Sequence, residues 1–209
     1  MDSDALQQAA DRLSASMRRL QDDLDLDAVR GIEGDAARVY FEAFDHLIVR
    51  EKDHFFMRGR SRRPPLDRVN CLLSFLYTLV LHDLRSALES VGLDPAVGYL
   101  HRDRPGRAGL ALDMMEEFRP MADRLALSLV NLGQLQAGDF VFSDSGAVRM
   151  SDAARKTLLV AYQKRKQEEM VHPFVDERMS LGLFFHMQAL LFARMLRDEL
   201  DGYPPVIWK

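Results

Sequence analysis

Three polar features of this chain carry the residue types that hold divalent ions: Glu33, His101, and the group Asp113, Glu116 and Glu117. Each lies beside a turn or on a helix face with no evident packing role. Asp113 and Glu116 stand three residues apart, a spacing that projects both carboxylates from one face of a helix. His101 ends the run Gly92-Leu93-Asp94-Pro95-Ala96-Val97-Gly98-Tyr99-Leu100-His101, where Gly92 and Asp94-Pro95 break a helix and leave the imidazole on a short connection. Taken singly, a histidine there is more often structural. Taken together, one imidazole with two or three carboxylates suits Mg2+ or Mn2+ better than a structural zinc site. Glu51-Lys52-Asp53-His54 also has the Glu-x-x-His spacing of di-metal helical bundles, a less favoured reading.

Two arginine clusters accompany these acids: Arg58, Arg60, Arg62 and Arg63, then Arg102, Arg104 and Arg107. Both lie in segments punctuated by Gly or Pro, where loops are expected. The formal net charge is -4, so no global basic balance announces a nucleic-acid partner. Residues 1–30 hold seven aspartates against four arginines, which leaves the rest close to neutral with its arginines in patches. Such patches neutralise phosphates locally, or are simply solvated loop charges.

The elements that must position these residues are helical. The 47% hydrophobic and 29% charged composition is that of a folded, water-facing chain. The one cysteine, Cys71, sits among Leu72, Leu73 and Phe75, which excludes a disulfide framework and fits a reducing cytoplasm. No signal-peptide pattern opens the chain, and the apolar run near Cys71–Leu81 falls short of the roughly 20 residues of a membrane span. The 3.6-residue period dominates throughout, so the fold class is all-α, a multi-helix globular domain with at most one short β-hairpin.

A first amphipathic helix covers about residues 5–20. Gly31-Ile32-Glu33-Gly34 then places Glu33 at the entrance of a second helix starting near Asp35. Residues 1–30 read as an N-terminal helix and linker, and 31–209 as the helical catalytic domain. Asp67 is the expected cap of a long core helix that stops at Gly92, and Asn70, Ser74 and Thr78 draw a polar stripe along it. Small polar groups satisfying nearby backbone would explain this stripe, as would the lining of a reactive cavity. Further helices read over about 111–132, with a kink at Pro120, from Ser151 toward Glu169, and over about 179–200. Ser143-Asp144-Ser145-Gly146 marks the one hairpin, between 140–142 and 147–150. The tail Tyr203-Pro204-Pro205-Val206-Ile207-Trp208-Lys209 is non-helical and either folds back or docks a partner.

Four ordered blocks resemble the C-terminal domain of the CRISPR-associated endonuclease and integrase family Cas1: Gly31-Ile32-Glu33-Gly34 with Ala36, Ala37 and Tyr40; Arg62-Arg63-Pro64-Pro65-Leu66-Asp67 with Val69-Asn70 and Leu73-Ser74-Phe75; Gly92-Leu93-Asp94-Pro95 with Gly98-Tyr99-Leu100-His101; and Ala111-Leu112-Asp113 with Glu116-Glu117-Phe118-Arg119-Pro120. The resemblance covers nearly all of residues 28–209. It implies Glu33, His101 and Glu116 as catalytic metal ligands, Asp113 as their support, and Mg2+ or Mn2+ as the ion. It also implies phosphodiester cleavage and strand transfer for new-spacer acquisition, with DNA, the small protein Cas2 and a second copy of the chain as partners. Arg58, Arg60, Arg62, Arg63, Arg102, Arg104 and Arg107 would contact DNA, and Asn70 and Ser74 would line the cavity. Arg68 departs from the family's proline before Val-Asn, and Ala108-Gly109 from its serine-containing pair. Whole members carry an N-terminal β-rich domain that this stretch does not match, so this sequence is expected to keep the metal site yet integrate poorly. The alternative is a non-catalytic helical DNA-binding or scaffold module whose acids are ordinary surface groups.

Overall fold

The computed structural model describes residues 3–102 and 104–208. Among them, seven α-helices carry most of the chain: α1 (Ser3–Arg19), α2 (Leu26–Phe44), α3 (Arg68–Ser90), α4 (Gly109–Met115), α5 (Arg119–Asn131), α6 (Asp152–Gln167) and α7 (Leu181–Leu196). Two antiparallel pairs join them, β1 (Phe140–Phe142) with β2 (Val148–Met150) and β3 (Glu169–Val171) with β4 (Arg178–Ser180). The mostly helical expectation holds, while the limit of one hairpin does not. The second pair was illegible because its three-residue strands lack a turn signal like the Ser-Asp-Ser-Gly of the first. The chain divides into two compact units, the first from the residues up to Ser74 with Ala126–Arg155, the second from Phe75–Leu125 with the residues from Lys156 onward.

In the first unit α1 packs on α2. Asp25 caps α2 by accepting from the Ala28 N–H at 2.7 Å, so the helix begins at Leu26 and runs through Gly31 and Gly34. Glu33 therefore stands exposed in the interior of α2 rather than at a helix entrance, and the division after residue 30 falls inside the same helix. Two interior glycines weaken a helix by about 1 kcal/mol each relative to alanine. The buried face of Ile32, Val39, Phe41 and Phe44 offsets this. Glu51-x-x-His54 is not helical: Glu51 takes a positive φ of 49° and its carboxylate accepts from the Ala137 N–H at 3.2 Å.

The long core helix begins as expected, with Asp67 accepting from the Asn70 N–H at 2.6 Å. Asn70 itself is 0% exposed. Its amide donates to Asp67 Oδ2 at 2.6 Å and to the Gly59 carbonyl at 2.8 Å, and its Oδ1 accepts from Arg60 at 2.6 Å and from the Ser61 N–H at 3.1 Å. Ser74 Oγ lies 3.2 Å from both terminal nitrogens of Arg60. Asn70 and Ser74 of the polar stripe thus hold the arginine-bearing loop, while Thr78 is exposed. Asn70 does not line a cavity, because every polar atom of its side chain is engaged inside the protein.

The second unit is built on the remainder of α3. By length and composition α3 could cross a membrane, but Leu72, Leu73, Leu76, Val80, Leu84 and Leu88 are fully enclosed, the burial of a core helix. Asp83 accepts from the Tyr162 hydroxyl at 2.6 Å and from Lys166 at 2.8 Å. The run read as one kinked helix over 111–132 is split into α4, a 3-10 turn at Glu116–Phe118, and α5. Pro120 has no N–H for the Glu116 carbonyl, which is why regular α-helical bonding stops there.

Buried His172 ties the second hairpin to α7. Its Nδ1 accepts from the Phe174 and Val175 N–H groups, both at 3.3 Å, so Nε2 carries the hydrogen and donates to Gln188 Oε1 at 3.0 Å. Burial holds its pKa below the usual histidine value, against the opposing hydrogen bond to Gln188.

The Asn70 network makes a stability prediction. Asn70→Ala removes one donor from the buried Asp67 carboxylate and one acceptor from the Arg60 guanidinium, so unfolding free energy should fall by about 1–3 kcal/mol. A lower urea midpoint at unchanged helicity is the expected reading, and a midpoint equal to the parent's would assign the stripe no structural role.

Candidate metal centre

The residues of the second unit build a prepared histidine. Asp113 on α4 faces the connection that carries His101. Its Oδ2 accepts from the Tyr99 N–H at 2.6 Å and the Leu100 N–H at 3.0 Å, and its Oδ1 from the His101 N–H at 3.0 Å. The same Oδ1 lies 2.6 Å from His101 Nδ1. Burial opposes the charge on Asp113, but the bonds from His101 and the three backbone N–H groups outweigh it and hold its pKa below the ordinary carboxylate value. An ionised carboxylate only accepts, so Nδ1 carries the hydrogen, and in the neutral ring Nε2 presents the lone pair. A carboxylate behind the imidazole, with the far nitrogen left to coordinate, is the arrangement that orients histidine ligands on metals. His101 is therefore oriented as a ligand of a divalent ion would be.

Two glycines let this loop sit where it does. A Cβ on Gly98 would lie 2.7 Å from the Gly109 carbonyl carbon, and one on Gly109 would lie 2.8 Å from the Ala96 carbonyl oxygen. The backbones touch, and the Leu110 N–H donates to the Pro95 carbonyl at 2.9 Å. In the sequence Gly98 stands in one motif block and Gly109 in a departure from the family pattern, and nothing in either stretch reveals that the two glycines meet.

The three acids of the fourth block separate by role. Asp113 serves the His101 loop rather than sharing an ion-facing side with Glu116. Glu116, in the 3-10 turn, lies 2.7 Å from Arg119 Nε, an ion pair whose N–H direction misses good hydrogen-bond alignment. Arg119 in turn covers the Tyr77 ring at 4.8 Å. Glu117 turns inward and binds the C-terminal tail through its carboxylate and its carbonyl. The tail thus folds back on its own unit. Glu33 belongs to α2 of the first unit. Among the described residues no group of three or more His, Cys, Asp and Glu side chains forms a ready-made metal cluster.

The arginines also divide. Arg60 is half-buried and engaged with Asn70, Ser74 and the Ser61 carbonyl, so it braces its loop and is not a solvated phosphate arm. Arg58, Arg62 and Arg63 remain exposed on that loop. In the second unit Arg104 and Arg107 line a cleft of about 570 Å³ together with Arg85, Glu89 and Asp94. Arg102 is exposed, and its carbonyl lies 3.5 Å from Arg107 Nη1.

The close approach of the two glycines is open to test without any assay of activity. Gly98→Ala must push the loop off α4, and overpacking of this kind costs about 1–3 kcal/mol. The amides of Tyr99, Leu100 and His101 should exchange with solvent faster in this variant, as they should in Asp113→Ala. Parental exchange in both would mean that the loop is held by something else.

Comparison with known proteins identifies the family. The model of the family CRISPR associated protein Cas1 matches residues 1–164. A CRISPR-associated endonuclease Cas1 of Chlorobaculum tepidum is 59% identical over the whole chain, which spans 61% of that relative's length. One from Leptospira interrogans is 43% identical over 98% of the chain, which covers 80% of it. Among solved structures, a chain of the partial Cas6-RT-Cas1–Cas2 complex superposes with a TM-score of 0.83 at 26% identity, over 99% of this chain and 61% of that one. On the family match and the extent of these identities, the chain belongs to the Cas1 family of CRISPR-associated proteins.

Proposed function

We propose that this chain carries the metal-dependent DNA endonuclease and strand-transfer chemistry of CRISPR adaptation, with Glu33, His101 and Glu116 as ligands of Mg2+ or Mn2+. The observation that carries the proposal is the Asp113–His101 pair, which holds Nδ1 and leaves Nε2 free to coordinate at the histidine of the family motif. A bound divalent ion supplies Lewis-acid polarisation of a phosphodiester and charge for the leaving oxygen. The chain's own residues do the rest. Asp113 fixes the tautomer and direction of His101. Arg119 steadies the Glu116 carboxylate beside the Tyr77 ring. Exposed Arg58, Arg62 and Arg63, with Arg102, Arg104 and Arg107, neutralise phosphates along the DNA, which lets an acidic chain bind DNA locally.

Cas2 and a second copy of the chain are the proposed protein partners in a cytoplasmic setting. The Cas1–Cas2 complex among the structural neighbours supports the former. A non-catalytic DNA-binding or scaffold module remains the competing class, and metal dependence separates the two.

His101→Ala removes the imidazole and little packing volume, so Mn2+-dependent cleavage should fall by more than about 100-fold, beyond the range of outer-shell substitutions, at parental helicity. Glu33→Ala and Glu116→Ala should behave alike. DNA cleavage by His101→Ala at the parental rate would sink the ligand assignment. For binding, replacing Arg58, Arg62 and Arg63 by alanine should flatten the salt dependence by roughly 0.9 in log-log slope for each phosphate no longer neutralised. The same measurement on Arg102, Arg104 and Arg107 shows which patch the DNA follows, and two unchanged slopes would return both clusters to solvent.

A further inference from the structure

Within the second unit, Tyr203 of the C-terminal tail touches the chain neighbour of one proposed ligand and reaches the loop of another through Phe192. Its hydroxyl donates to Glu117 Oε1 at 2.5 Å, one residue beyond Glu116. Its ring packs edge-on against Phe192 at 5.4 Å between centroids, and Phe192 packs edge-on against Tyr99 at 5.8 Å. Tyr99 lies two residues before His101. One aromatic ladder and one hydrogen bond thus connect the 99–101 loop to the 116–118 turn.

The rest of the tail grips the same turn. The Val206 N–H donates to Glu117 Oε2 at 2.8 Å, and Trp208 Nε1–H donates to the Glu117 carbonyl at 2.5 Å. The indole packs T-shaped on Phe118 at 6.3 Å. From α7, fully buried Gln188 donates to Glu117 Oε2 at 2.8 Å and to the Tyr203 hydroxyl oxygen at 2.7 Å.

A carboxylate in such a place is costly for stability alone, since apolar packing of similar volume would do as well or better. What directional bonds supply is position. The 3-10 turn that carries Glu116 has poorer internal hydrogen bonding than an α-helix and adjoins Pro120, so its own backbone holds it weakly. Ligands, however, must be held to within about 0.5 Å.

We propose that Tyr203 is a positioning residue of the metal centre, its ring and hydroxyl together setting the spacing between the His101 loop and the Glu116 turn. The tail then governs divalent-ion affinity without touching the ion or the DNA. This rests on the reading of His101 and Glu116 as ligands given above.

The test uses the full chain with Tyr203→Ala, which removes ring and hydroxyl, Tyr203→Phe, which keeps the ring, and Trp208→Phe, which removes the bond to the Glu117 carbonyl. Two quantities are measured: Mn2+ affinity, from the electron paramagnetic resonance signal of the free ion, and amide hydrogen exchange without metal. Tyr203→Ala should raise the Mn2+ Kd about ten-fold, as loss of an outer-shell partner does, and cleavage should return when Mn2+ is raised. It should also speed exchange at Tyr99, Leu100, His101 and Glu116. Tyr203→Phe should loosen Glu116 and leave 99–101 protected, a split that general destabilisation does not produce.

Folded variants with parental Kd and parental exchange would overturn the proposal, as would uniform loosening of the whole unit. If Tyr203→Ala does not fold, parental Kd and exchange in both Tyr203→Phe and Trp208→Phe overturn it instead. If the parent chain binds no Mn2+, the ligand reading fails, and the exchange pattern alone decides whether Tyr203 couples the two segments.

Discussion

The carboxylate of Asp113 receives three consecutive backbone N–H groups and an imidazole, and the second unit's site depends on it. A chain leaving α3 at Ser90 and re-entering a helix at Gly109 passes through a stretch outside regular secondary structure. Without an acceptor, the N–H groups of residues 99–101 would have to seek water and the loop would sample many conformations. Asp113 gathers them on one residue of α4. Because it also accepts from His101, the element that orders the loop sets the ring's tautomer as well.

That arrangement needs backbones in close proximity, which the Gly98–Gly109 approach provides, and it needs a rigid α4. Rigidity beyond α4 is harder to obtain. Pro120 interrupts the helix after one further turn, so Glu116 and Glu117 occupy a segment that cannot brace itself. The protein recruits a sequence-distant tail for the purpose, and burial of Glu117 makes the recruitment strict. Its pKa is raised by desolvation against the bonds from Tyr203, Val206 and Gln188, a sign that the interior tolerates this carboxylate only with its donors in place.

The first unit shows the same economy with opposite charge. Arg60 resembles its neighbours Arg58, Arg62 and Arg63 in sequence, yet it turns inward to Asn70 and Ser74 while they remain exposed. One arginine of a cluster is thus structural, and it presents the others. Asn70 joins Asp67, Arg60, Ser61 and Gly59 in one hydrogen-bonded set, so the start of α3 and the basic loop are tied together.

Much of this was legible from residues alone. Amphipathic period located α1, α3, α6 and α7 to within a few positions, because burying one face of a helix leaves a repeat that needs no partner to be seen. Asp67 and the Pro120 break were legible for the same reason, being local backbone chemistry. The four motif blocks named the family. Other features depended on partners far along the chain: the start of α2 ahead of two glycines, the second hairpin, the inward turn of Arg60, and the different tasks of Asp113, Glu116 and Glu117. Residue type and spacing show which groups can donate or accept, and the periods that expose them. Which acceptor each donor meets is a long-range matter, decided only when tertiary packing removes water and leaves each buried polar atom to find a partner inside the fold.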